Sequence, residues 1–134
     1  MKIKKKGELY LSVSSGRAMS HFFDLFSGKG EDMAYNPDKG EFVALHTSGG
    51  YIAYGHDLPK KFSTSLSFGM AFINNKDFQP DDAYSYSYNA LLCVFWQPVD
   101  GARIGIELAN GQRFDKGGAR GIANRVSMLL YYDF

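Results

Sequence analysis

The chain has 134 residues and a formal net charge of +1 at neutral pH. This is the length of a single domain, and the charge gives no general electrostatic reason to expect nucleic-acid binding. Aromatic residues make up 16% of the sequence, with 15 glycines and 4 prolines, which favours β structure. A single cysteine, Cys93, excludes an internal disulfide framework, and no apolar run reaches the roughly 18 residues of a membrane-spanning helix.

Six segments alternate between apolar and polar residues with period two, the pattern of strands with two different faces. The third shows it most clearly, because a phenylalanine-rich face lies opposite a face of serine, glycine and alanine. The second is expected to be kinked or bulged at Gly49-Gly50, since glycine weakens a strand interior. The predicted strands are Glu8–Ser14, Phe42–Leu58, Phe62–Ile73, Tyr84–Gln97, a strand that begins at Arg103, and Ala123–Phe134.

The connections between these strands alternate in character. Long polar segments (Gly16–Gly40, Asn74–Ala83, Gly111–Ile122) follow the first, third and fifth strands, whereas the tight turns Leu58–Lys61 and Pro98–Gly101 follow the second and fourth. Outer-membrane β-barrels have long loops outside and short turns on the periplasmic side. The sequence therefore predicts an all-β fold, an antiparallel up-and-down meander of about six long strands. It would form one section, residues 1–134, of a transmembrane β-barrel wall.

Aromatic residues collect at the ends of the apolar faces. In the fourth strand, tyrosines lie at one end of the face and tryptophan at the other, with aliphatic residues between them, and the last strand ends in aromatics. Two aromatic girdles flanking an apolar band are typical of a β-barrel in lipid. The residues predicted to face lipid or form the girdles are Tyr84, Tyr86, Tyr88, Trp96, Tyr132 and Phe134.

From Gly50 onward, the sequence resembles the C-terminal part of the DcaP-like outer-membrane porins. The residues that carry the resemblance are Gly50-Tyr-Ile-Ala-Tyr-Gly-His56, Ser65-Leu-Ser-Phe-Gly with Asn74-Asn75, Asn89-Ala-Leu-Leu-Cys-Val-Phe-Trp-Gln-Pro-Val99, Gly105-Ile-Glu-Leu-Ala-Asn-Gly-Gln-Arg113 and Gly121-Ile-Ala-Asn-Arg125. The resemblance implies a trimeric, sixteen-stranded channel of the Gram-negative outer membrane for small, often anionic solutes such as dicarboxylates.

The resemblance also implies that this chain is the C-terminal section of such a porin. Six strands are fewer than the family's sixteen, and they would leave two open sheet edges. The start Met1–Lys6 is basic, as in a signal peptide, but an alternating segment follows instead of an apolar one. We therefore expect that the signal peptide and the N-terminal strands lie outside this sequence.

Five residues are predicted to line the lumen of the channel, where arginines would attract carboxylates: Arg103, Glu107, Arg125, Ser127 and Asn89. The alternative is that the charged members pair with each other or meet solvent. Residues Arg17, Arg113 and Arg120 lie near the predicted outer rim, where they would steer anions, contact lipopolysaccharide or simply be solvated. The phenylalanines between Phe22 and Phe26 would form a constriction, or would pack against the wall or a neighbouring subunit.

Nothing in the sequence points to an enzyme. The histidines His21, His46 and His56 lack metal-ligand spacing, and no Gly-x-Ser-x-Gly elbow accompanies the serines. No cofactor is expected, and the expected partners are membrane lipid, lipopolysaccharide and small anionic solutes, not nucleic acid. The alternative to a channel is a soluble β-sandwich or small β-barrel that binds an apolar ligand, with the same apolar faces turned inward.

Overall fold

The computed structural model describes residues 2–3, 7–26 and 31–133. Its main sheet contains the two-residue strand β1 (Lys2–Ile3) and six long strands: β2 (Gly7–Arg17), β5 (His46–Leu58), β6 (Phe62–Asn74), β7 (Tyr84–Val99), β8 (Ala102–Asp115) and β9 (Arg120–Tyr132). A hairpin of β3 (Met33–Asn36) and β4 (Glu41–Ala44) lies between β2 and β5, together with two 3₁₀ turns at Ser20–Phe22 and Asp24–Phe26. None of the described residues forms a helix long and apolar enough to cross a membrane.

The strands of the main sheet follow one another in chain order, and every neighbouring pair is antiparallel. The predicted all-β meander of six long strands is confirmed. The sheet is open, with β9 at one edge and β1 beside β2 at the other.

The second predicted strand is wrong at its start. It begins at His46, not at Phe42, because Phe42 belongs to β4, which pairs with β3. The break falls at Leu45, which is fully buried, and its backbone bonds to Ala18 and Asp32 instead of to the sheet. The bulge expected as one of the two irregularities at Gly49-Gly50 is also wrong, since β5 keeps an unbroken register with both neighbours.

The third predicted loop, Gly111–Ile122, is mostly strand. Backbone pairing continues to Asp115 and resumes at Arg120, so only four residues form the turn. The Asp115 amide donates to the Ala119 carbonyl at 2.9 Å, and Gly118 takes a positive φ of 87°, a conformation that glycine adopts without a steric penalty. Polar side chains misled the prediction, because the ladder needs only backbone groups.

The two faces of the sheet differ sharply. Residues paired across antiparallel strands lie on the same face, and the register therefore joins most of the large apolar residues of the six strands into one apolar face. Leu91, Phe95 and Leu129 lie on the opposite face. This face is open: Val13 is 78% exposed and Met128 79%. The buried hydrophobic residues form one small cluster instead, and it consists of Phe26, Leu45, Ala71, Ile73 and Tyr84.

The exposure of the apolar face can be compared with the soluble β-sandwich that was the alternative interpretation of the sequence. A β-sandwich would bury its apolar faces between two sheets. In the part of the chain that the structure describes, the second sheet is the short β3–β4 hairpin, and the apolar face remains exposed along β2, β6, β8 and β9.

Candidate functional site

The opposite face, which we call the small-residue face, is built around β6. There Ser63, Ser65, Ser67, Gly69 and Ala71 alternate with the large apolar residues. Their register partners on β5 and β7 include Ala53, Gly49, Cys93 and Ser87. Small side chains on one face leave room in front of the wall, as in the lumen of a barrel.

All five residues predicted to line a lumen lie on the small-residue face. Asn89 is the partner of Gly69, and Glu107 is the partner of both Cys93 and Ser127. Arg125 lies two residues before Ser127 and is the partner of Ala109, and Arg103 lies four residues before Glu107 and is the partner of Tyr131. An even spacing keeps both on the same face. All five residues therefore share one face of the sheet.

The structure brings two of these charges into contact. Arg125 Nη2 lies 2.7 Å from Glu107 Oε1, and Cys93 Sγ lies 3.6 Å from Glu107 Oε2. Arg103 lies apart from them, with its guanidinium 5.3 Å from the Tyr131 ring centre. The alternative that the charges pair with each other thus holds for Arg125 and Glu107, whereas Arg103 is exposed beside an aromatic ring.

The connection between β2 and β5 folds back onto the small-residue face beside the end of β6 and the start of β7. We call its described part, residues 18–26 and 31–45, the docked segment. Phe26 is 1% exposed, and its ring meets the Tyr84 ring edge-on at 4.8 Å. The Tyr84 hydroxyl donates to the Leu25 carbonyl at 3.1 Å, and Ala71 and Ile73 complete the buried cluster beneath.

Gly49 makes this close approach possible. A Cβ at this position would lie 2.8 Å from a ring carbon of Phe23 and 2.7 Å from the Met70 carbonyl oxygen. Any larger residue would therefore collide with the β6 backbone and displace the Phe23 ring of the docked segment. Of the outcomes considered for these phenylalanines, packing against the sheet is the one observed for Phe26. Phe22, in contrast, is 70% exposed.

A polar cluster that sequence reasoning missed holds the docked segment together. Asp32 Oδ1 accepts hydrogen bonds from the backbone amide (2.7 Å) and hydroxyl (2.8 Å) of Ser20, and Asp32 Oδ2 lies 3.1 Å from His21 Nδ1. Burial raises the pKa of Asp32, but the hydrogen bonds from Ser20 and His21 outweigh it, and the net pKa lies below the ordinary value.

The cluster is not a catalytic triad. The Ser20 hydroxyl donates to Asp32, whereas a triad needs the serine hydrogen-bonded to the histidine base. Nothing in the sequence signalled this cluster, because Asp32 lies eleven and twelve positions after its partners, a spacing that no regular motif predicts. Its role is to brace the segment.

One predicted girdle residue, Tyr84, is on the wrong face. A bulge between Tyr84 and Tyr86 sets two residues of β7 against one of β8, so that Tyr84 pairs with Asp115. Such an extra residue reverses the alternation beyond it. Tyr84 is consequently 5% exposed beneath Phe26, with the Arg113 guanidinium 4.3 Å from its ring centre.

Four other predicted girdle residues lie on the apolar face, and Phe134 is outside the described residues. Tyr86 stacks on Phe114 at 4.3 Å, and Trp96 stacks on Phe62 at 6.3 Å. Tyr88 lies near the first pair, and Tyr132 is exposed at the end of β9. Trp96 lies ten residues after Tyr86 on β7, which is a distance of about 33 Å along a strand. At the tilt typical of barrel strands, this distance projects to about 25 Å along the barrel axis. The apolar band of a membrane barrel has about that height.

The predicted rim arginines have different surroundings. Arg113 contacts Asp115 at 2.6 Å on the small-residue face, whereas Arg120 lies 5.5 Å from the Phe114 ring centre on the apolar face. Arg17 is exposed at the end of β2. Among the described residues, no group of histidine, cysteine and acidic side chains is arranged to hold a metal ion.

Comparison with known proteins identifies the fold. No protein-family model matches the chain, and no curated protein matches it. A solved structure that it resembles is the outer membrane channel DcaP of Acinetobacter baumannii, with a TM-score of 0.80 and 15% sequence identity. The match covers 99% of this chain and 38% of that chain. The resemblance predicted from the sequence is thereby confirmed in the fold: the chain folds like a section of the DcaP channel.

Proposed function

We propose that the chain is part of the wall of a porin in the outer membrane of a Gram-negative bacterium, a passive diffusion channel for ions and small hydrophilic solutes. The observation that carries the proposal is the exposed apolar face, which continues across all six long strands and ends in aromatic pairs. In water, a patch of this extent would be an aggregation site. In a bilayer, it is the surface that lipid requires.

The small-residue face then lines the aqueous lumen, and the docked segment narrows it. Selection in such a channel depends on the size and the electrostatic field of the passage. Because Phe26 fixes the segment on the wall at Ala71 and Tyr84, the segment reduces the cross-section at that level. Asn89 and Ser127 contribute polar groups to the same wall.

Anionic solutes, including dicarboxylates, are the proposed preference, and Arg103 is the residue on which it rests. The charge of Arg125 is offset by Glu107, and that of Arg113 by Asp115. Arg103 is exposed on the small-residue face, and its described contact is the Tyr131 ring. It is therefore the arginine of this wall best able to attract a carboxylate.

The proposal extends to the partners. The apolar face contacts membrane lipid, Arg120 and the neighbouring aromatics contact lipopolysaccharide at the outer end, and the intact barrel is a homo-oligomer, a trimer by the family resemblance. No enzymatic activity is proposed, because the described side chains form no catalytic constellation.

Planar bilayers provide the test. The intact protein, carrying whatever strands complete the barrel, should produce stepwise conductance after reconstitution. A silent protein that stays monodisperse in water without detergent would contradict the proposal and favour a soluble ligand-binding fold.

The anion preference is tested separately with Arg103→Gln, measured as the reversal potential in a salt gradient. We expect a shift toward cations with single-channel conductance largely retained. Arg120→Gln is the matched control, because Arg120 lies on the opposite face of the sheet. Equal reversal potentials for both variants and the parent would leave Arg103 without a role in selectivity.

A further inference from the structure

A hollow on the small-residue face lies at the opposite end of the sheet from the docked segment. Its volume is about 460 Å³, which is within the range of small-ligand sites. It adjoins the two tight turns that join β5 to β6 and β7 to β8. The lining residues that determine its chemistry are Asp57, Lys61, Ser63, Phe95, Asp100 and Arg103.

The strand register sets the order of these residues across the hollow. Asp57 of β5 pairs with Ser63 of β6, Ser63 pairs with Phe95 of β7, and Phe95 pairs with Gly105 of β8. Arg103 lies two residues before Gly105 and therefore belongs to the same face. The hollow thus has a carboxylate at one side and a guanidinium at the other, with a hydroxyl group and a phenyl ring between them.

The other two charges of the hollow are directed at each other. Lys61 Nζ lies 4.0 Å from Asp100 Oδ1 and donates to the Pro98 carbonyl at 3.4 Å. Asp57 and Arg103 are both exposed, and the ion pairs found among the described residues include neither of them. Both charges are therefore accessible to a solute.

Two aromatic rings form an apolar side of the hollow next to Arg103. A Cβ on Gly105 would collide with the Phe95 ring, so the glycine allows this ring to lie against the wall. The Phe95 and Tyr131 ring centres are 5.9 Å apart, and the Arg103 guanidinium lies 5.3 Å from the Tyr131 ring centre. Because the rings displace water beside the guanidinium, they strengthen its attraction for a carboxylate.

The separation of the two charges sets the length of a matching solute. Asp57 and Arg103 lie on strands that are three positions apart in the sheet. Neighbouring strands are about 4.8 Å apart, so the two backbones are separated by roughly 14 Å. Since both side chains line the hollow, we expect a shorter gap between the charged groups. A linear solute with a charge at each end matches this gap better than an α-amino acid, whose two charges are adjacent.

We propose that this hollow binds linear zwitterionic solutes, such as ω-amino acids or short peptides, with the carboxylate at Arg103 and the ammonium group at Asp57. Arginine binds a carboxylate through two parallel hydrogen bonds, and an aspartate accepts hydrogen bonds from an ammonium group. A dicarboxylate could also bind Arg103, but its second carboxylate would face Asp57, and like charges repel. The inference deepens the proposed function and rests on it, because it requires the small-residue face to line the lumen.

Block of the channel by added solutes tests the inference. Single-channel current of the intact protein is recorded in planar bilayers while γ-aminobutyrate or glutarate is added. Both solutes carry a carboxylate on the same methylene chain, and they differ in the other end group, which is an ammonium group or a second carboxylate. We expect γ-aminobutyrate to half-block the parent at a lower concentration than glutarate. The opposite order would overturn the inference, because Arg103 alone would then set the preference.

Variants assign the two ends of the solute. Asp57→Asn should raise the half-blocking concentration of γ-aminobutyrate by roughly twofold to fivefold, the range of an exposed ion pair, and lower that of glutarate. Arg103→Gln should raise both concentrations. Asp77→Asn is the matched control, because it removes the same charge from the exposed loop after β6, at the other end of the sheet.

The outcomes separate the inference from the proposed function. If Asp57→Asn matched Asp77→Asn for both solutes, the inference would be overturned while the channel proposal stood. A parent without any conductance would overturn the channel proposal and the inference together.

Charge reversal provides a second measurement. Asp57→Lys should reverse the order of the two solutes, because the hollow would then have a cation at both sides. Asp57 is exposed, so we expect this variant to fold like the parent. If γ-aminobutyrate still blocked Asp57→Lys at a lower concentration than glutarate, Asp57 would have no part in recognition and the inference would be overturned.

Discussion

Replacing Phe26 with alanine should release the docked segment from the wall. The Phe26 side chain is buried between the segment and the small-residue face, against Tyr84 and beside Ile73. Truncating a buried phenylalanine costs about 3–5 kcal/mol. Because the lost contacts join the segment to the wall, the cost falls mainly on docking and not on the six-strand ladder. At about 1.4 kcal/mol per tenfold change, the docking equilibrium falls by roughly two to three and a half powers of ten.

Single-channel conductance in planar bilayers measures the consequence. Phe26→Ala should widen the passage and raise conductance, and a protease added to the outer side should cut the segment faster. Phe22→Ala is the matched control, since Phe22 belongs to the same segment but is 70% exposed. If Phe26→Ala matched Phe22→Ala in both conductance and cleavage rate, Phe26 would not hold the segment and the reasoning would be refuted.

The other predictions concern the same wall. Gly49→Ala should loosen the docked segment, as read by faster amide hydrogen exchange in it, whereas Gly55→Ala should not, because a Cβ there meets nothing within 4 Å. The lowered pKa of Asp32 means that its stabilising effect is complete above about pH 4, the ordinary value, and is lost as pH falls further. The protection factors of amides in the segment, corrected for the intrinsic pH dependence of exchange, should therefore fall only below that pH, and Asp32→Asn should abolish this pH dependence. Arg125→Gln should shift the reversal potential toward cations by leaving Glu107 unpaired, with a loss of stability of only about 0–1 kcal/mol because the arginine is mostly exposed.

The sequence was sufficient for the sheet because alternation with period two is a property of the backbone. Each residue of Phe62–Phe72 points away from its neighbour, so the two faces and their contents follow directly. For the same reason, residues such as Asn89 and Arg125 could be assigned to a face before any coordinates were known.

The errors arose where the alternation is broken or is irrelevant to pairing. A bulge moved Tyr84 from the apolar face to the small-residue face, although nothing in Tyr84-Ser-Tyr-Ser-Tyr88 signals an extra residue. Polar side chains at Gln112 and Arg113 suggested a loop, but their backbone groups pair normally.

The docked segment was the least predictable part. Its position depends on contacts between residues distant in sequence, as between Phe26 and Tyr84 or between Ser20 and Asp32. Tertiary contacts of this kind leave no periodic signal. The sequence therefore indicated phenylalanines of uncertain location, and the structure assigned one of them to the wall and one to solvent.

The central claim is that one face of the sheet lines water and the other contacts lipid. Ser67 and Leu66 are adjacent residues of β6 on opposite faces, so Ser67→Cys and Leu66→Cys, each in a Cys93→Ala background, form a matched pair. A membrane-impermeant thiol reagent should lower the single-channel conductance of Ser67→Cys and leave Leu66→Cys unchanged. Modification of Leu66→Cys but not of Ser67→Cys, or equal modification of both, would contradict the assignment of the two faces.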